Sequence, residues 1–225
     1  RLQFQICKDM FVIGFPAILS NAANSVVAFG MNRILLSFTS TATAVYGVYV
    51  RLQGFAMMPV YGLRNTIVSI LAYNYGAKHK RRIQQAIRIC LVTSVSITVA
   101  VMAVFLVWPD GLLTLFSAQD NMMEIGMTAL RIISFGIPAT GIAVVLGATF
   151  QSFGDSGTEF VVSAARVVVL LLSAWLLSLT GELSVVWWAF VITEAVALLL
   201  ALLFWTKVNK KFLKPMIQEP VSGRK

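Results

Sequence analysis

The run TATAVYGVYVRLQGFAMMPVYGLRNTIVSILAYNYGAKHKRR, Thr41–Arg82, decides the fold class. From Ala42 to Tyr75 it is mostly apolar, and it then stops at Gly76-Ala77 and the basic cluster Lys78-His79-Lys80-Arg81-Arg82. About 20 apolar residues cross the hydrocarbon core of a bilayer, and this run exceeds that length. The cluster behind it predicts a cytoplasmic end. Yet the run also carries Arg51, Gln53, Pro59, Arg64 and Asn65, for which a plain anchor has no use.

Composition extends this reading to the whole chain of 225 residues, which is 58% hydrophobic, 12% charged and has a mean hydropathy of +0.83. Soluble domains carry roughly twice that share of charge. The expected class is therefore all-α, a polytopic membrane protein. The net charge of +9 does not point to nucleic acid, because the Lys and Arg residues gather at the ends of apolar runs rather than on an aromatic and basic platform. Cys7 and Cys90 have no metal or redox spacing and read as packing residues. His79 is a cation-flanked loop residue. Arg1 in place of an initiator Met, with no secretory signal behind it, suggests a piece of something longer.

Six spans are expected, at about 10–38, 42–75, 83–108, 124–153, 159–179 and 184–205, making a transmembrane lobe over 1–208. A basic cytoplasmic tail, 209–225, follows. Gly14-Phe15-Pro16 opens the first span, Pro109-Asp110-Gly111 stops the third and Gly154-Asp155-Ser156-Gly157 closes the fourth. Pro16, Pro59 and Pro138 each remove a backbone donor in or near a span, which is tolerated where neighbours satisfy the freed carbonyl. The basic cluster and the basic tail place both chain ends in the cytoplasm of a multi-pass cell (inner) membrane protein.

Charge inside a span costs at least about 2.5–3.5 kcal/mol and so needs a partner or a wet surface. At helical spacing, Arg51, Phe55, Met58, Gly62, Asn65 and Ser69 share one face of the second span, with Pro59 beside them. Arg64 falls on the opposite side. These residues, Arg51, Phe55, Met58, Pro59, Gly62 and Asn65, are the candidate wall of a substrate path. Glu194 is the deep carboxylate of the sixth span, and Arg166 on the fifth is a candidate partner for a buried pair or for ion coupling. Arg131, two turns into the fourth span, is a further intramembrane charge. Arg33 reaches for the headgroups. No nucleophile–base pair, clustered metal ligands or phosphate-binding loop is present in the sequence, so neither an enzyme nor a cofactor is expected.

Several short motifs then occur in a telling order: Gly14-Phe15-Pro16-Ala17, Asn32–Leu36, Gly47–Gln53, Met58–Leu63, Ala72–Lys78 and Phe150–Gly154. Together they resemble the second half of a multidrug and toxic compound extrusion (MATE) transporter, nearly to residue 208. The resemblance implies one six-helix lobe of a twelve-helix transporter whose N-terminal lobe is missing here. It also implies Na⁺- or H⁺-driven export of small organic, often cationic, compounds by alternating access. Some family members carry acidic residues on the first and fourth spans of this lobe, whereas this chain has no carboxylate in the interior of either. Arg166 and Glu194 match a basic and an acidic position on the last two helices of relatives. Two other readings are a flippase of a lipid-linked saccharide, which the several arginines accommodate, and a non-transport membrane scaffold.

Overall fold

The computed structural model describes residues 23–116, 118 and 120–213. Cys7, Gly14-Phe15-Pro16 and the tail beyond Leu213 lie outside the described residues. Within them the chain is helical and has no strand. Helix α1 covers 23–36, α2 Ser40–Gly76, α3 Lys80–Val107, α4 Pro109–Thr114 and α5 Asp120–Ser134. Then come α6 Ile137–Ser152, α7 Ser156–Ser178, α8 Leu183–Val186 and α9 Trp188–Val208, which runs on into a π-helical turn, Asn209–Leu213.

Helix α2 starts where Thr39, in extended conformation, accepts a bond from the Thr41 amide through its side chain. It stops just past Gly76, but glycine is not the residue that turns the chain. Lys78 adopts the left-handed conformation with φ of 58°, and the His79 amide donates to the Asn74 carbonyl at 2.9 Å. A lysine in this place carries a steric cost that glycine avoids, while its charge suits the negative end of the helix. At 1.5 Å per residue, 37 residues extend about 55 Å, well beyond the hydrocarbon core.

The stretch expected as one span at 124–153 is two helices. Helices α5 and α6 meet at Phe135-Gly136 with a bend of 47°. Pro138 explains the break, since it lacks the amide that would bond the Ser134 carbonyl and its ring crowds that group. The last turn of α5 tightens instead, with the Gly136 amide donating to the Ile133 carbonyl at 3.0 Å. Helices α2 and α3 are each long and apolar enough to cross a membrane, as are 157–178 and the stretch from α8 to Leu213. The bent α5–α6 pair qualifies as a fifth.

Two buried clusters hold the helices together. Near the start of α2 and α9, Tyr46, Tyr49, Trp187 and Phe190 pack with Ile133 and Ile137, the Tyr49 ring meeting Phe190 edge-on at 5.3 Å. At the other ends, Ile67, Leu71, Ile83, Phe150 and Val208 form the second cluster, and Tyr75, Phe153 and Phe212 pack around it, with Phe153 stacked on Phe212 at 5.7 Å. Between α3 and α6 the packing relies on small residues. The Ser94 hydroxyl donates to the Gly141 carbonyl at 3.0 Å, and a Cβ at position 141 would lie 2.7 Å from the Thr98 methyl. Gly141→Val therefore forces α3 and α6 apart. We expect it to lower stability by about 1–3 kcal/mol, read as a depressed melting temperature of the detergent-solubilised protein.

Candidate functional site

Four half-buried charged residues, Arg64, Glu159, Arg166 and Glu194, form a layer that spans three helices. Helix α7 supplies Glu159 and Arg166, seven residues apart and so about two turns along the same face. Arg64 of α2 donates from Nη2 to Glu159 Oε1 at 2.5 Å. Arg166 Nη2 lies 3.0 Å from Glu194 Oε2 on α9. The structure thus brings Arg166 and Glu194 together across α7 and α9.

The two pairs differ in environment. The Glu194 side chain is 14% exposed and that of Glu159 23%. Around Glu194 the bend of α5–α6 matters: a Cβ on Gly136 would lie 3.3 Å from the Glu194 side chain, so the absence of one there leaves its room. Thr140, one turn on, donates its hydroxyl to the Gly136 carbonyl at 3.2 Å. The Arg166–Glu194 contact is charge against charge rather than an aligned hydrogen bond. Neither Arg166 Nε nor Glu194 Oε2 has a hydrogen-bond partner among the described residues.

A cavity of about 200 Å³ opens beside this layer. Tyr61 and Arg64 wall it from α2, Glu159, Ser163 and Arg166 from α7, and Gly147 of α6 is part of its lining. The six candidate path residues of α2 are placed elsewhere. Arg51, Phe55, Met58, Pro59, Gly62 and Asn65 are all exposed on the outside of the lobe, Phe55 at 75% and Met58 at 62%. The buried residues of α2, among them Val60, Ile67 and Leu71, turn inward instead. Arg131 is exposed near the end of α5 and joins neither pair. Among the described residues no group of three or more His, Cys, Asp or Glu side chains forms a metal cage.

Glu159 is the member that reading the sequence missed. The expected span begins only at residue 159, but α7 begins at Ser156, which puts Glu159 in its first turn, where the helix dipole favours a carboxylate. The available signal was Arg64, whose charge on the inward side of α2 required a partner at matching depth.

The MatE family profile matches residues 16–176. The chain belongs to the MatE family. Among curated proteins it is 28% identical over 206 residues to the multidrug export protein MepA of Staphylococcus saprophyticus, covering 88% of this chain and 44% of that one. The MatE chain thus spans less than half the length of that relative. Among solved structures it resembles an inward-facing multidrug resistance MATE transporter of the MOP superfamily, with TM-score 0.87 and 21% identity, covering 99% of this chain and 51% of that one. An outward-facing structure of such a transporter gives TM-score 0.82 at 22% identity, over 96% and 49% of the two chains. This MatE chain therefore has the fold of about half of such a transporter.

Breaking the more buried pair is the costlier change. Glu194→Gln or Arg166→Gln alone should lower stability by about 3–5 kcal/mol, because the remaining charge is stranded. The double variant should lose less than the sum of the two. Arg64→Gln, in the more exposed pair, should cost less than either. Melting curves of the four variants in one detergent check the order.

Proposed function

We propose that this chain is the C-terminal lobe of a cation-coupled antiporter that exports organic, often cationic, drugs or toxins by alternating access, with Na⁺ or H⁺ as the coupling ion. The observation that carries the reading is the match to multidrug export proteins along almost the whole chain, joined to its coverage of about half of each relative. Likeness to both inward-facing and outward-facing transporters supports a lobe that keeps its shape while access alternates. The exposed face of α2, with a cation, an aromatic ring, a thioether and an amide in line, supports a path wall between this lobe and a second one. An aromatic ring and a soft sulfur suit flat organic cations.

Orientation follows the basic residues. Lys78, Lys80, Arg81 and Arg82 at the α2–α3 junction and Lys207, Lys210 and Lys211 at the end of α9 favour the cytoplasmic side. In this reading Arg166 and Glu194 hold the lobe together, and coupling to the ion lies elsewhere or acts through them.

Ethidium efflux from cells lacking other pumps tests the function. Expression of the complete protein should speed efflux, and collapse of the ion gradients should abolish the gain; efflux indifferent to both would refute it. Phe55→Ala and Met58→Ala should slow efflux while changing stability by no more than about 0.5 kcal/mol, since both side chains project away from the lobe's core.

A further inference from the structure

A second cavity lies away from the charged layer, between the first turns of α3 and the end of α9. It measures about 380 Å³, and Gln84, Ile87, Arg88 and Leu91 line one side, Trp205 and Asn209 the other. We propose that this groove binds an anionic phospholipid of the membrane leaflet on that side.

Three observations converge on this occupant. The first is charge. Among the described residues no carboxylate lines the groove and Arg88 makes no ion pair. Lys80, Arg81 and Arg82 occupy the first turn of α3, with no acidic residue among them. Cations stacked on the positive end of a helix dipole repel it and one another, and an anion held there relieves both. Lys207, Lys210 and Lys211 lie along the same end of α9, outside the lining itself, and add to the positive charge on that side.

The second is the order of polarity along the groove. Gln84 and Arg88 of α3 and Asn209 past α9 offer donors to a phosphodiester. Ile87, Leu91 and the 59% exposed Val92 carry the wall on along α3 as an apolar surface for an acyl chain. A free phosphate has no use for that surface. The third is Trp205, an indole at the polar end of a span, where such rings anchor at the headgroup level. With no acid among the described lining residues to receive a choline or ethanolamine group, the groove favours an anionic over a zwitterionic headgroup. Basic pockets between spans on the cytoplasmic side are suited to such lipids.

Native mass spectrometry of the protein from its complete reading frame, titrated with phosphatidylglycerol or phosphatidylcholine, tests this independently of what is exported. A phosphatidylglycerol adduct should form at lower lipid concentration than a phosphatidylcholine one. Arg88→Gln should weaken that adduct roughly fivefold, and Arg88→Lys should restore most of it. Val92→Trp, which fills the apolar wall while keeping every cation, should weaken it as well. Arg33→Gln, on α1, should leave it unchanged. Equal binding of the two lipids, an adduct indifferent to both Arg88→Gln and Val92→Trp, or displacement of phosphatidylglycerol by inorganic phosphate would each overturn the proposal.

Discussion

A charge within the hydrocarbon of a membrane has no water to fall back on, and the inside of this lobe is arranged around that fact. Helix α7 carries one acid and one base on the same face, and its neighbours carry the complements: Arg64 on α2 for Glu159, Glu194 on α9 for Arg166. The signs are opposite at the two levels. Turning α7 about its axis, or sliding it by two turns, leaves like charges facing or four charges unpaired. Apolar packing alone would tolerate several rotations of so uniformly apolar a helix. The crossed pairs leave one.

Around that layer the rest of the fold makes room. Gly136 and the break imposed by Pro138 give Glu194 its place, and Gly147 adjoins the carboxylate of Glu159. The aromatic clusters above and below, Tyr49 with Phe190 and Phe153 with Phe212, close the ends of the same bundle. Helix α6 is thus shaped by what it must avoid as much as by what it contacts. Its small residues let α3 approach closely on one side and admit charged side chains on the other.

Much of this could be read from the sequence, for identifiable reasons. Apolar runs bounded by Gly, Pro and basic residues mark helices in lipid, and the carboxylate of Glu194 with the guanidinium of Arg166 stood out because so few charges lie in apolar runs. The face formed by Arg51, Phe55, Met58 and Asn65 followed from helical spacing, and those residues do share one exposed side. Less legible was anything set by neighbours. Glu159 lay close enough to a glycine-rich turn to pass for a loop residue, and only the partner across from it gives it meaning. The division of 124–153 was written in Pro138, but a proline in a span kinks, breaks or merely bends it according to what packs nearby. The left-handed Lys78 had no local signal, since Gly76 offered the cheaper turn and the chain did not take it.

The interlocking of α3 and α6 at Gly141 has a consequence for how such a lobe can change shape. Helices whose backbones nearly touch, with Ser94 and Thr98 filling the seam, cannot shear past one another without collision. That seam resists displacement, and deformation is cheaper where the main chain is already broken. One such place is Phe135-Gly136, where Pro138 leaves a carbonyl without its helical donor. Gly136 also abuts the side chain of Glu194. The sharply bent joint between α5 and α6 therefore lies directly against the acid of the last helix, so flexing there would press on the Glu194 side chain.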